Sequence, residues 1–275
     1  MKPLEGKVAL VTGSGRGIGE AIAHKLADAG AKIVVNDLDS GPAADVVRAI
    51  QQQGGEALSC AGNVVDTDVC EKLVTTAVDG LGGLDIIVNN AGYTWDNVIQ
   101  KMDDEQWQAI LDVHLKAPFQ ILRAASEFIR ASAKRERAEG REVFRKVVNI
   151  SSISGLYGNA GQVNYSAAKA GIVGLTRALS KEWGRYRVNV NCVAFGLIET
   201  RLAQALGKEK ASIRIGSHDI PVGIQAENLA LINSIIPLGR AGTPQEAAGA
   251  VYLFCIPESN YISGQVITAG GGIRT

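Results

Sequence analysis

Val8-Ala9-Leu10-Val11-Thr12-Gly13-Ser14-Gly15-Arg16-Gly17-Ile18-Gly19 is the stretch from which the fold is read. Four apolar residues without alternation suit a strand covered on both faces. The glycines that follow permit a tight turn and a close backbone approach to a ligand. The common G-x-G-x-x-G spacing does not fit, because its third glycine would fall on Ile18 or Glu20. G-x-x-x-G-x-G fits through Gly13, Gly17 and Gly19. A strand, a glycine turn and then a helix start is the arrangement that seats a pyrophosphate on unpaired N–H groups and a positive helix end.

Outward from this turn, short apolar runs alternate with helix-period segments. The runs are Val8–Thr12, Ile33–Asp37, Ala57–Ala61, Leu84–Asn90, Val147–Ser151, Val188–Ala194 and Gln265–Thr268. Helices are predicted near 17–29, 41–53, 67–80, 103–131, 163–184 and 243–255. The pattern predicts an α/β doubly wound, mostly parallel, seven-stranded Rossmann sheet with helices on both faces. No linker or internal repeat divides the chain, so residues 1–275 are expected to form a single domain. Two segments depart from the alternation. Residues 134–146 mix six basic with three acidic side chains and are expected to be a solvated helix end and loop. Residues 197–240 carry spaced Leu202, Leu206, Ile213, Leu229, Ile232 and Ile236, which predicts short amphipathic helices forming a substrate lid.

Composition narrows the function classes. Lys plus Arg and Asp plus Glu both number 28, which removes the basic excess of a general nucleic-acid binder. No apolar stretch approaches the roughly 18 residues of a membrane span, and the first residues do not pattern as a signal peptide. The four cysteines form no C-x-x-C pair and are expected to be reduced thiols in a cytoplasmic enzyme. His24, His114 and His218 are far apart in sequence without carboxylates at ligand spacing, so no metal site is expected.

Asp37 ends the second predicted strand, where a carboxylate can accept both hydroxyls of an adenosine ribose. A 2′-phosphate there would meet repulsion of about 4 kcal/mol at about 4 Å and an effective dielectric near 20. Arg16 pulls the other way, since a guanidinium can pair with that phosphate. Asp37 meets the ribose directly, so NAD is expected over NADP. Asn89-Asn90-Ala91-Gly92 closes the fourth predicted strand beside the glycine turn, where its amides can fix the loop. In Tyr165-Ser166-Ala167-Ala168-Lys169 a phenol and an ammonium share one helix face. The ammonium is expected to favour phenolate and so make Tyr165 a usable base. Ser152, just past the fifth predicted strand, can polarise a carbonyl.

With TGSGRGIG, NNAG, NISS, YSAAK, IET, PLGRAGTPQEAA and ISGQVITAGG in order, the chain resembles the short-chain dehydrogenase/reductase family from Lys7 to about Gly272. The resemblance implies that Tyr165 is the general acid/base, Lys169 its tuning partner and holder of the nicotinamide ribose, and Ser152 the orienting hydroxyl. It implies cofactor contacts along Gly13, Gly15, Arg16, Gly17, Ile18 and Gly19, then at Asp37, Leu38, Asn63 and Val64. Further contacts are implied at Asn90, Ala91, Gly92, Gly196, Ile198 and Thr200. It also implies a homotetramer built through the C-terminal strand and the helix before it. His114 stands where many relatives carry a catalytic Asn; it is expected either to preserve a proton relay or to be packed in its helix. Phe195 replaces a frequent Pro and is expected to add bulk near the nicotinamide or shift the turn.

VVNDL, VHL and GLYGNAGQVNYSAAK are similar to (3R)-hydroxyacyl-CoA dehydrogenases, and the overall pattern to 3-oxoacyl-acyl-carrier-protein reductases. Both resemblances imply a 3-oxoacyl or 3-hydroxyacyl thioester, on CoA or on acyl-carrier protein, as substrate. A steroid or small polyol is the alternative substrate, and a non-catalytic dinucleotide-binding subunit the alternative of another class.

Overall fold

The computed structural model describes residues 2–200, 212–215, 218–221, 223 and 226–273. Its main sheet has seven strands: β1 (Val8–Val11), β2 (Lys32–Val35), β3 (Ala57–Ser59), β4 (Ile86–Asn89), β5 (Arg145–Ser152), β6 (Val188–Phe195) and β9 (Val266–Ala269). They pair in parallel in the order β3-β2-β1-β4-β5-β6-β9. The sheet is therefore wholly parallel, as continuous apolar strands require when both faces are covered. One face packs on α1 (Gly17–Asp28), α2 (Ser40–Gln52) and α9 (Pro244–Tyr252). The other packs on α3 (Thr67–Thr75), α5 (Ala117–Ala138) and the end of α7 (Val163–Trp183).

The long helix predicted near 103–131 is composite. It runs as α4 (Asp104–Leu111), a π-turn at Asp112–Lys116, and α5. Its start is fixed by Asp103, whose carboxylate accepts the Gln106 N–H at 2.7 Å in a reciprocal capping box. A short α6 (Ile153–Tyr157) begins at Ser152, whose hydroxyl accepts the Ser154 N–H.

Two expectations are corrected. Within 134–146, Arg145 and Lys146 are buried rather than solvated. Arg145 makes a bidentate pair with Glu136 at 2.9 and 2.6 Å, and Lys146 Nζ donates to Asn189, Asn260 and Ser259. They belong to the first residues of β5, which is central in the sheet, and their partners allow that burial.

The 197–240 segment contains an antiparallel hairpin, β7 (Ser212–Ile215) and β8 (His218–Pro221), before its helix α8 (Ala226–Ile235). Ile213 thus lies in a strand, while Leu202 and Leu206 fall outside the described residues. The alternation in Ser212-Ile213-Arg214-Ile215 has the period of a strand.

Candidate active site

The sheet order reverses between β1 and β4, which opens a crevice at their carboxyl ends. The glycine turn lies there. Gly13 and Gly17 have positive φ, +61° and +62°. A Cβ on Gly19 would lie 2.1 Å from the Gly13 carbonyl, so only glycine fits. Above Gly17 the space is open, and its nearest neighbour would be Thr200 Cγ2 at 3.9 Å. Arg16 at the α1 N-cap supplies no side-chain cap, which leaves the first N–H groups of this 12-residue helix for an anion. These features fit the pyrophosphate of a dinucleotide.

Asn90 locks the turn from β4. Its amide donates to the Thr12 and Gly13 carbonyls at 2.9 and 3.1 Å, while Thr12 Oγ1 accepts the Asn90 and Ala91 N–H groups. Asn36, missed by the sequence reasoning despite lying beside Asp37, braces the other side. It accepts the Gly13 N–H and donates to the Cys60 and Gly62 carbonyls.

Asp37 follows β2 rather than ending it, and its side chain faces the turn. Its carboxylate accepts the Gly15 N–H at 3.0 Å and the Asp39 N–H at 3.2 Å. Arg16 is engaged elsewhere, paired with Asp39 at 2.7 Å. Leu38 is exposed, Asn63 half-buried and Val64 buried beyond the ends of β2 and β3. Ile198, past β6, is buried and bridges to Gly242, and Gly196 lies against Gly270.

At the carboxyl ends of β5 and β6 the catalytic candidates converge. Lys169 is buried, with its Nζ donating to the Ile150 carbonyl at 2.8 Å and 5.6 Å from the Tyr165 ring centroid. Burial lowers its pKa to about 8. Tyr165 departs from the expected balance. Burial pushes its phenol up to about 12, hydrogen bonding with Ser152 pulls it down, and the Asp96 charge pushes it up further. Desolvation of the phenolate therefore outweighs any help from Lys169 in the chain alone.

His114 lies in the π-turn with its ring edge-on to Tyr165, centroids 5.0 Å apart. Its Nε2 is 2.7 Å from the Tyr93 carbonyl, and burial, then the Lys169 charge, hold its pKa well below the ordinary histidine value. A neutral ring donating from Nε2 leaves Nδ1 as an acceptor, and that buried atom has no partner among the described residues. Gly92 makes room for it, since a Cβ there would lie 2.0 Å from His114 Cε1. Phe195 does not crowd a pocket; it is buried in the apolar core on the α1/α9 face.

Sequence reasoning also missed the residues around Tyr165. Asn164, fully buried, donates to the Trp95 and Gln106 carbonyls at 3.1 Å and so ties α7 to the loop after β4 and to α4. Gln162 connects the Asp96 carboxylate with Ser154. Their adjacency to the Tyr-x-x-x-Lys segment was the available signal. The hairpin rests on the same loop: His218 packs on Trp95, centroids 5.0 Å apart, and its Nε2 is 2.9 Å from Glu105 Oε1.

Comparison with known proteins agrees with this fold. The family model for short chain dehydrogenase matches residues 7–211. A 3-oxoacyl-[acyl-carrier-protein] reductase of Synechocystis is 38% identical over 99% of both chains. The hydroxyacyl-CoA dehydrogenase ChsB1 of Mycobacterium tuberculosis is also 38% identical, over 98% of this chain and 78% of its own. A crystal structure from Agrobacterium tumefaciens, described provisionally as a gluconate dehydrogenase, superposes with a TM-score of 0.82. It is 32% identical, over 98% of this chain and 96% of its own. The chain belongs to the short-chain dehydrogenase/reductase family, and it is an oxidoreductase acting on CH–OH groups.

Proposed function

We propose that the protein interconverts 3-oxoacyl and 3-hydroxyacyl thioesters with NAD(H), through Ser152, Tyr165 and Lys169. A bound nicotinamide dinucleotide supplies the hydride in reduction and takes it in oxidation. Ser152 orients the substrate oxygen, and Tyr165 delivers its phenolic proton to that oxygen. With the phenol protonated at neutral pH, the resting state is the acid that reduction needs. Lys169 holds the nicotinamide ribose and lowers the phenol's pKa once the cofactor's positive charge joins it. Neutral His114, whose Nδ1 has no partner among the described residues, takes the place of the relay Asn.

The dinucleotide is held along the Gly13–Gly19 turn, by Asp37 and Leu38 at the adenosine end, and by Asn63 and Val64 beside them. Asn90, Ala91, Gly92, Gly196, Ile198 and Thr200 complete the cradle. NAD is favoured because Asp37 is buried at the ribose position while Arg16 is already paired with Asp39. The whole chain acts as one domain in the cytoplasm, with 197–240 as the substrate lid. Exposed Leu231 and Ile235 on α8 give that lid an apolar surface for an acyl chain.

The observation that carries this reading is the buried Lys169 beneath Tyr165 at the mouth of the cradle, in a chain whose relatives are named for acyl-thioester chemistry. Absorbance-monitored NADH oxidation with acetoacetyl-CoA is expected to show turnover, faster than with NADPH. A faster NADPH reaction would reverse the cofactor assignment. No turnover with either cofactor, alongside activity on another ketone, would replace the thioester class.

A further inference from the structure

Asp96 lies outside the catalytic group but is wired to it. Gln162 Nε2 donates to Asp96 Oδ2 at 2.6 Å, and Gln162 Oε1 accepts the Ser154 hydroxyl at 3.0 Å. The Ser154 N–H in turn donates to Ser152 Oγ at 3.2 Å. On the other side, the Trp95 carbonyl accepts from Asn164, the residue before Tyr165. Adjacent Trp95 and Asp96 thus tie the loop to the neighbours of Tyr165 and Ser152, and the Asp96 charge acts on the Tyr165 phenol.

No cation offsets this charge among the described residues. Among the described residues no lysine, arginine or histidine pairs with Asp96, and Oδ1 has no hydrogen-bond donor. Asp96 is exposed in the chain alone, and the protein around it still withdraws enough solvent to raise its carboxyl above the ordinary value. A second negative charge nearby would be repelled, whereas an uncharged N–H or O–H donor would satisfy the open oxygen. A free 3-oxo acid carries its carboxylate only two bonds from the carbon that is reduced. Its thioester is uncharged at that position, and the pantetheine arm beyond the sulfur offers amide N–H donors.

We propose that Asp96 is a specificity-determining residue of this site, a carboxylate with no cationic partner among the described residues, which turns away free 3-oxo and 3-hydroxy acids and admits their thioesters. The proposal rests on the thioester reading above, and it names which member of the substrate pair is excluded.

The test compares acetoacetate with its uncharged N-acetylcysteamine thioester under NADH. The readout is the ratio of the two kcat/KM values, which cancels any effect of Asp96 on Tyr165 common to both substrates. The wild-type ratio is expected to favour the thioester strongly. Asp96→Asn is expected to lower it about tenfold, a typical scale for removing one nearby like charge. Asp96→Glu, which keeps the charge, should stay closer to wild type. Asp96→Ser provides a second neutral side chain should Asn disturb the loop. A ratio unchanged in both neutral variants, or an even wild-type ratio, would overturn the proposal while leaving the thioester reading intact. A wild-type enzyme inert toward the thioester but active on another ketone would remove that reading and this proposal with it.

Discussion

Tyr165 is held in its neutral form by its surroundings, and only part of that hold is visible in sequence. The four-residue spacing to Lys169 is legible, and it puts both groups on one helix face. The sign of the net effect on the phenol is not, because it depends on burial and on Asp96, which is 69 positions away in the chain. Removing the hydroxyl tests the assigned role. Tyr165→Phe is expected to lower kcat by roughly 10²–10⁴, the usual worth of a positioned acid. NADH binding, followed by fluorescence, should change little, because the glycine turn and Asp37 are untouched. Retained turnover would take Tyr165 out of the chemistry. His114 gives the same lesson in another form. Its departure from the family's Asn could be read directly, but an Nδ1 without a partner among the described residues and the room left by Gly92 required the fold.

Elements pin one another through buried polar contacts that composition conceals. Glu136 near the end of α5 and Arg145 at the start of β5 form a pair whose side chains are 8% and 6% exposed. Glu136→Ala would leave the guanidinium buried without its partner, and is expected to cost about 3–5 kcal/mol. Urea unfolding of wild type and variant checks this, and a loss below about 1 kcal/mol would show the pair to be dispensable. The pair also makes an acid-labile contact. Hydrogen bonding to Arg145 holds the Glu136 pKa below its ordinary 4.5, so its stabilisation is full above that value and is lost as pH falls through the lowered one. The strands could be read from their continuous apolar runs, and six helices from their period. Charge counts could not separate Arg145 and Lys146 from the solvated arginines beside them, because burial here follows from strand position. The π-turns at Thr76–Gly80 and Asp112–Lys116 also escaped, since both lie within unbroken helical periodicity.

The whole molecule leaves apolar surface that the fold does not use. Leu253 after α9, with Tyr261 and Ile262 before β9, is exposed at 57%, 104% and 41%. Ile262 lies four residues before β9, the terminal strand of the sheet, whose outer edge has no neighbour among the described residues. An exposed strand edge beside apolar side chains favours pairing with another chain. On other elements, Trp107 of α4 and Phe119 of α5 are exposed at 37% and 48%. A four-subunit assembly of twofold symmetries needs two isologous interfaces, and these exposed apolar side chains are offered to them by different elements. We therefore expect a homotetramer, with a light-scattering mass four times the 28.9 kDa of the chain. Charges placed in one interface should leave the other intact, so Leu253→Asp with Tyr261→Asp is expected to yield a dimer. A wild-type monomer would refute the assembly. A tetramer that survives the double substitution would show that the β9 edge is covered by something other than a second copy.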